Sequence, residues 1–181
     1  MEELLFAKPT VKTEATDEVL FARPVVGKNV EKAEDVLFSK PQVNSQPKTN
    51  TKYDGSWDSF KKVASEIAGQ ENYPVNVLLG QAALETARGT STFAKQRNNY
   101  FGMKAYDSNP DNATKYNSPE QSIKDYINLI KNTPRYAGAY QQYLKDKNSL
   151  KLLQGIRAAG YATDPNYVKK VASMPEFGGT Q

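Results

Sequence analysis

Residues 74–104 read PVNVLLGQAALETARGTSTFAKQRNNYFGMK, and the predicted fold is organised around this stretch. A helix is predicted to begin after Pro74 and to stop at Gly89, because proline is favoured at helix starts and glycine just past helix ends. The following segment, Asn98–Tyr106, is predicted to form a short strand that pairs with Ala113–Asn117 around the turn-rich DSNPDN. A helix beside a small hairpin is therefore expected at the centre of the domain.

Glu85 is the residue of this helix that most needs an explanation. With Leu78 and Ala82 it follows the spacing i, i+4, i+7, so it shares one helix face with small apolar residues. Burial and the negative end of the helix dipole both disfavour the ionised carboxylate, so a raised pKa is expected. A carboxyl that holds a proton near neutral pH is typical of a general acid. The structural alternative is an ion pair with Arg88 at i+3.

Composition excludes several classes of chemistry. The 181 residues contain no cysteine and no histidine, which excludes Ser-His-Asp and Cys-His hydrolases and the usual histidine-ligated zinc hydrolases. Any hydrolysis must therefore depend on carboxylates, tyrosine, lysine, hydroxyls or backbone groups, and no metal or cofactor is predicted. No window is apolar enough to span a membrane, and the first residues do not resemble a secretory signal. We expect a soluble protein whose export, if any, takes another route.

The predicted domain covers residues 53–175 and is mostly helical, with the one small hairpin, giving an α+β class that is mostly α. It follows an extended tail with a polar linker, residues 1–52, and precedes a short C-terminal tail, residues 176–181. The other predicted helices are Ser56–Gln70 with Trp57, Phe60, Val63 and Ile67 inside, a helix opened by Ser118-Pro119 with Ile123, Tyr126, Ile127 and Ile130 inside, Ser149–Ala159, and Asn166–Ser173.

Five blocks of this domain follow one another along the chain: QAALET (81–86), NNYFGMK (98–104), YNSPEQSIKDY (116–126), RY (135–136) and GYATDPNY (160–167). Together and in this order they resemble glycoside hydrolase family 73, the peptidoglycan endo-β-N-acetylglucosaminidases that include flagellar muramidases and autolysins. The resemblance implies a lysozyme-like α-lobe, a small β-lobe and a glycan-binding cleft between them. It also implies cleavage of the β-1,4 bond between N-acetylglucosamine and N-acetylmuramic acid.

The resemblance also implies roles for individual residues. Glu85 matches the catalytic acid, and Tyr161 matches a tyrosine near the reacting sugar. Asn99, Tyr100 and Phe101 match a segment that lines the cleft, and they are predicted to bind substrate. Substrate binding is also predicted for Tyr116 and Tyr167. Core packing is the alternative for these tyrosines and for Phe101. Asp164 is expected to shape a turn through an Asx-type bond.

Two departures from the family pattern concern the second catalytic group. The family often has Gly-Trp-Gly after the Glu-Thr pair, whereas this chain has Ala87-Arg88-Gly89. The predicted hairpin of this chain is also short, and Asp107 and Asp111 are the only acids in it. If either aspartate reaches the cleft, it would position a water and the product would invert. If neither does, the substrate's N-acetyl oxygen would attack with help from Tyr161 and configuration would be retained. The short hairpin favours the second course.

The N-terminal tail contains three similar segments: EELLFAKPTV (2–11), DEVLFARPVV (17–26) and EDVLFSKPQV (34–43). One interpretation is a disordered spacer. We favour three docking peptides with Leu-Phe anchors that bind equivalent sites on a symmetric partner, because linked copies gain avidity. Residues 1–50 have 8 acids and 7 bases and residues 51–181 have 12 and 17, so the tail carries −1 and the rest +5. A basic domain fits an anionic polymer such as a cell wall, and its scattered charges do not predict nucleic-acid binding.

A wall hydrolase with a repeated docking tail fits a bacteriophage virion protein, held to a symmetric tail or hub through residues 2–43 and acting on the bacterial wall. The alternatives are a free endolysin, a flagellar or autolytic glucosaminidase, or an inactive structural hub protein with the same fold.

Overall fold

The computed structural model describes residues 49–104 and 113–179 of the chain. Within these residues seven α-helices follow one another, and a 3₁₀ helix at Pro175–Phe177 closes the domain. The helices are α1 (Trp57–Gln70), α2 (Val75–Thr86), α3 (Thr92–Arg97), α4 (Pro119–Asn132), α5 (Pro134–Asp146), α6 (Ser149–Ala158) and α7 (Tyr167–Ala172). The predicted tail repeats and the two hairpin aspartates lie outside the described residues.

Local signals at the helix ends explain most of these boundaries. The Ser56 side chain accepts a hydrogen bond from the Ser59 amide at 3.1 Å, and Asn148 caps α6 in the same way through the Lys151 amide at 2.9 Å. Helix α2 ends at Thr86, before the predicted stop at Gly89, because Ala87 already adopts the left-handed conformation with φ 46°. The predictions of α1, α2, α4, α6 and α7 are confirmed, whereas α3 and α5 were not predicted.

The predicted pair of strands is wrong for the described residues. There the pairing of residues 98–104 with 113–117 contains one isolated antiparallel bridge, Lys104 to Ala113, and no strand. Asn98 and Gly102 have φ of 48° and 63°, which breaks an extended conformation on both sides of the aromatic pair. The Asn99 side chain replaces the missing ladder, as its amide bonds the Met103 amide and carbonyl at 3.0 and 2.7 Å and the Thr114 carbonyl at 3.0 Å.

Helix α2 lies at the centre of the domain. Residues 77–83 are all buried, and the helix contacts α1, α6, α7 and the 3₁₀ helix. A helix that is buried nearly all round belongs to the core of a domain rather than to its surface. The inner faces predicted for α1 and α4 pack into the same core: Phe60, Val63, Ile67, Ile123, Tyr126, Ile127 and Ile130 are all buried. The core thus holds α2, and with it Glu85, in a fixed place.

Contacts extend to both sides of the predicted 53–175 range. The Asn50 amide donates to Glu66 of α1 at 2.8 Å, and the Thr51 hydroxyl donates to the other oxygen of the same carboxylate. At the other end, Glu176 accepts from the Trp57 indole at 3.1 Å. None of the helices in the described ranges is long and apolar enough to cross a bilayer.

Candidate active site

Glu85 lies in the last turn of α2, on the face that also carries the fully buried Leu78 and Ala82. The predicted apolar face is therefore confirmed, and Glu85 itself remains partly exposed at its edge. This position gives the carboxyl one side toward the core and one side toward solvent.

The surroundings of Glu85 favour its neutral form. Removal of the carboxyl from water raises its pKa from 4.5 to about 7, and a hydrogen bond from Tyr167 acts in the opposite direction. The direction is the one expected from the sequence. A carboxyl with this pKa is protonated in a substantial fraction of molecules at neutral pH, as general-acid catalysis requires.

Arg88 does not pair with Glu85. Its guanidinium binds Glu176, with Nε 2.7 Å from Oε1 and Nη2 3.2 Å from Oε2. Arg88 follows the left-handed Ala87 and itself has φ 57°, so the chain leaves the helix axis before the i+3 contact can form. The structural alternative for Glu85, an ion pair along the helix, is therefore excluded by the structure.

Two tyrosines adjoin the carboxyl. The Tyr167 hydroxyl donates to Glu85 Oε1 at 2.9 Å, although Tyr167 was predicted only to bind substrate. The buried Tyr161 donates to the Phe101 carbonyl at 2.9 Å. Its ring lies beside that of Tyr167, with ring centroids 5.9 Å apart, and burial and, next, the charge of Glu85 raise the pKa of Tyr161 well above its usual value. The catalytic role of Tyr161 stays a prediction, and so does substrate binding by Tyr167.

The backbone at Gly102 borders the other carboxyl oxygen. A Cβ added at Gly102 would lie 3.8 Å from Glu85 Oε2, and this glycine is partly exposed. The backbone at Gly102, within the block NNYFGMK, therefore lies beside the acid. The glycine leaves room beside Oε2 on the solvent side.

The three residues before Gly102 point into the domain. Asn99 is fully buried and fixes the loop, and Tyr100 stacks on Phe60 with ring centroids 3.9 Å apart. Phe101 stacks on Tyr126 at 4.3 Å. Their side chains therefore pack in the core in this structure, and the predicted contact with substrate stays a prediction.

Tyr116 is hydrogen-bonded to an acid, Asp125, that was not predicted from the sequence to have a role. The Tyr116 hydroxyl donates to Asp125 Oδ2 at 2.6 Å, while burial raises the pKa of Asp125 and this hydrogen bond opposes the rise. Asp125 lies on α4 next to the buried Tyr126, within the block YNSPEQSIKDY. Asp107 and Asp111, the predicted second acids, lie outside the described residues.

Two other expectations have a clear structural outcome. Asp164 accepts from the Asn166 amide at 2.8 Å and pairs with Lys170 at 2.8 Å, which confirms its predicted turn-shaping bond before α7. Across residues 49–104 and 113–179 there is no group of three or more carboxylates that could hold a metal ion.

The comparison with protein families decides which group of proteins has this site. Residues 61–176 match the glucosaminidase family, described as mannosyl-glycoprotein endo-beta-N-acetylglucosaminidase. The chain belongs to this family. The match confirms the resemblance to glycoside hydrolase family 73, and the domain is a glycoside hydrolase of the endo-β-N-acetylglucosaminidase type.

Individual glucosaminidase-family relatives agree with this assignment. The chain is 28% identical over 193 residues to the peptidoglycan hydrolase FlgJ of Vibrio parahaemolyticus, a match covering 92% of this chain and 62% of the relative. It is similar in structure to the catalytic domain of the autolysin Auto from Listeria monocytogenes, with TM-score 0.55, 25% identity, and coverage of 67% of this chain and 82% of that one. A truncated glycoside hydrolase domain of Salmonella typhimurium FlgJ gives TM-score 0.50 and 27% identity, covering 63% and 89%.

The main residues that sequence reasoning missed at this glucosaminidase site are polar groups behind Glu85. Gln81 is fully buried, four residues before Glu85 on α2, and donates to the Tyr167 hydroxyl at 2.9 Å. The signal was present, because Gln81 is the one polar residue in the run 77–83 and the i, i+4 spacing places it directly behind the acid. The partner tyrosines carry no comparable local signal.

Proposed function

We propose that this protein is a peptidoglycan hydrolase that cleaves the β-1,4 bond between N-acetylglucosamine and N-acetylmuramic acid. One observation carries the proposal: Glu85, at the edge of the buried helix α2, is a carboxyl whose pKa is raised to about 7. The family assignment supports the glycosidic bond as the target, and the peptidoglycan hydrolases among the relatives support peptidoglycan as the polymer.

Glu85 acts as the general acid in this mechanism. It protonates the glycosidic oxygen while the bond breaks through an oxocarbenium-like transition state. The partly exposed side of the carboxyl, next to Gly102, is the side open to a glycan. General-acid catalysis of this kind contributes roughly 10²–10⁴-fold to the rate.

The second half of the reaction has two candidate courses. In the first, the N-acetyl oxygen of the substrate attacks the anomeric carbon and Tyr161 orients or stabilises it, so configuration is retained. In the second, Asp107 or Asp111 positions a water and configuration inverts. Tyr161 packs against Tyr167, which donates to Glu85, and this arrangement favours the first course.

The test is muropeptide analysis of purified peptidoglycan treated with wild type and with Glu85→Gln. Reducing N-acetylglucosamine ends from the wild type, and a loss of roughly 10²-fold or more in the variant, are expected. Reducing N-acetylmuramic acid ends would contradict the bond assignment, and anhydro ends would indicate a lytic transglycosylase. An active Glu85→Gln variant would remove Glu85 from the mechanism.

For the whole protein we propose a bacteriophage virion protein that is held to a symmetric tail or hub by its N-terminal tail and opens the bacterial wall locally. The support is the threefold occurrence of the acidic–Leu–Phe–basic–Pro pattern at 2–11, 17–26 and 34–43. A flagellar peptidoglycan hydrolase is the second candidate, because the match to Vibrio parahaemolyticus FlgJ covers 92% of this chain. The chain spans 62% of the length of that relative.

The anchors of the repeats offer a direct test of the docking proposal. Phe6, Phe21 and Phe38 occupy the same place in the three segments. If the segments dock to equivalent sites, replacing one, two and three of them with Ser should weaken capture of a virion tail protein progressively and steeply. Hydrolysis of soluble glycan fragments should stay unchanged in all three variants. Capture of flagellar rod protein instead of virion protein would favour the second candidate, and capture of neither would contradict docking.

A further inference from the structure

A continuous line of buried hydrogen bonds runs from the core to the acid. It comprises four side chains, Tyr73, Tyr126, Gln81 and Tyr167, before it ends on Glu85. Tyr73 and Tyr126 join hydroxyl to hydroxyl at 3.1 Å, the Tyr126 hydroxyl donates to Gln81 Oε1, and the last two bonds are each 2.9 Å long. All four side chains are buried. Solvent therefore does not compete for these groups.

The line has one consistent direction. The Gln81 carboxamide accepts from Tyr126 through its oxygen and donates to Tyr167 through its nitrogen. The single hydroxyl hydrogen of Tyr126 is thus engaged in the bond to Gln81, so Tyr73 must be the donor in the hydrogen bond between Tyr73 and Tyr126. The Tyr167 oxygen accepts a hydrogen bond from the Gln81 amide, which leaves the hydroxyl's own single hydrogen to be donated to Glu85 Oε1. Every donor therefore points toward the acid.

The far side of the carboxyl is arranged differently. Within the described part of the chain no hydrogen bond reaches Glu85 Oε2, and the nearest feature there is the partly exposed Gly102. An oxygen that already accepts a hydrogen bond from a phenol is the poorer place for the acid's own proton, since two hydrogens would then meet. The proton of the neutral acid belongs on Oε2.

We propose that Tyr73, Tyr126, Gln81 and Tyr167 form a positioning chain that fixes the Glu85 carboxyl through Oε1 and keeps the transferable proton on Oε2, facing the substrate side. Tyr167 is the positioning residue in direct contact, and Gln81 sets the direction of its O–H bond. Gln81 and Glu85 are one turn apart on α2, so this helix fixes their relative position, and Tyr167 at the start of α7 bonds to both. This proposal rests on the proposed role of Glu85 as the general acid.

The first experiment measures the Glu85 carboxyl directly. Carbon-13 NMR titration of glutamate-labelled protein, with the Glu85 signal assigned by its absence in Glu85→Gln, is compared between wild type and Tyr167→Phe. Loss of a hydrogen bond that favours the carboxylate should move the titration upward by about half a pH unit or more. If the hydrogen bonds ran the opposite way, with the protonated acid donating to Tyr167, the Glu85 titration midpoint would move downward in this variant. An unchanged or lowered midpoint would overturn the proposal.

Tyr140→Phe is the matched control. It removes a buried tyrosine hydroxyl that donates to the Asn72 carbonyl at 3.1 Å, outside the positioning chain. Its titration midpoint and its activity should equal those of the wild type. An upward movement of equal size in this variant would show that the effect is general loosening of the core and would overturn the proposal.

Kinetics supply a second, independent readout. On soluble glycan fragments Tyr167→Phe should lower kcat by about 10–100-fold with KM changed less than about threefold, because orientation of the acid is lost and binding is not. The basic limb of its kcat profile should move upward together with the NMR midpoint. Partial unfolding would lower kcat without moving the limb. A fall in kcat with no movement of the limb would overturn the proposal.

Gln81→Met tests the chain if the phenylalanine variant fails to fold. It keeps the Tyr167 hydroxyl but removes the group that directs it, so the Glu85 titration midpoint is expected to rise by less than in Tyr167→Phe. No movement in a folded Gln81→Met protein would overturn the proposal. Failure of the proposed function is recognised separately, because Glu85→Gln would then remain active while the titrations still report the chain.

Discussion

Glu85 costs the folded domain stability at neutral pH. Its pKa is about 7 when folded and 4.5 as a free carboxyl, so the folded state holds a proton that the unfolded state releases. Below pH 4.5 both states are protonated and there is no cost, and the cost grows until the pH passes about 7. At 1.36 kcal/mol per pH unit it reaches at most about 3 kcal/mol.

Glu85→Gln is therefore expected to be more stable than the wild type above pH 7, by up to about 3 kcal/mol. Glutamine keeps an oxygen that can accept from Tyr167 and carries no charge to desolvate. The measurement is urea denaturation of both proteins at pH 4, 6 and 8. The stability difference should be small at pH 4 and largest at pH 8, and a difference independent of pH would contradict the raised pKa.

With Glu85 as the proposed general acid, the same pKa is expected to set the upper pH limit of activity. A general acid must be protonated to act, so kcat should fall as the pH rises through about 7. The wild-type profile on soluble glycan fragments should show this basic limb, displaced well above the 4.5 of an ordinary glutamate. A limb near 4.5 would mean that the group is solvated in the enzyme–substrate complex, or that another group is the acid.

The sequence predicted Glu85 and the direction of its pKa because both follow from spacing along one helix. Its actual partner, Tyr167, lies 82 residues away, and no local rule predicts that contact. Arg88 satisfied the local i+3 rule, but the left-handed turn after α2 directed it to Glu176. Local spacing was therefore reliable inside the helix and misleading just beyond its end.

At the scale of elements, the packing of α2 depends on a close approach at Gly80. A Cβ added there would lie 3.1 Å from both Phe177 Cβ and Val171 Cγ1, which brings α2 against the C-terminal 3₁₀ helix and α7. Gly80→Ala should destabilise the domain by about 1–3 kcal/mol, because overpacking outweighs the better helix propensity of alanine.

Gly138 on the exposed side of α5 is the matched control for Gly80. A Cβ there meets nothing within 4 Å, so Gly138→Ala should stabilise the domain by about 0.5–1 kcal/mol through helix propensity alone. Urea denaturation of both variants gives opposite signs if the close approach at Gly80 is real. Two variants of the same sign would contradict it.

A helix was predicted from the sequence more reliably when it buries many apolar residues at a helical spacing. Helix α4 buries Ile123, Tyr126, Ile127 and Ile130 at a helical spacing and was predicted well. Helix α5 buries only Tyr136 and Tyr140 of its 13 residues, so its apolar face is too narrow to be recognised. The predicted strand at 98–106 failed, in the described residues, because one side chain, Asn99, makes the hydrogen bonds that a ladder would have made.

For the whole molecule, the question is where the catalytic domain begins. The sequence places the boundary at residue 53, but the Asn50 backbone amide and the Thr51 hydroxyl already bond to Glu66 on α1. Tyr53 then joins the buried Tyr100 hydroxyl to hydroxyl at 2.7 Å, and Ser56 caps α1. The segment 49–56 therefore contributes contacts to the domain, although its polar composition is typical of a linker.

Two deletions separate these views. Removal of residues 1–48 leaves the described contacts of segment 49–56 in place, so stability and hydrolysis of soluble glycan fragments should equal those of the full chain. Removal of residues 1–52 takes away both hydrogen bonds that Asn50 and Thr51 make to Glu66, and it should measurably lower the free energy of unfolding relative to the shorter deletion. Urea denaturation of the three proteins under one condition measures both effects. Equal stability of the two deletions would make 49–52 a linker, and a loss already present in the shorter deletion would assign residues 1–48 to the folded domain.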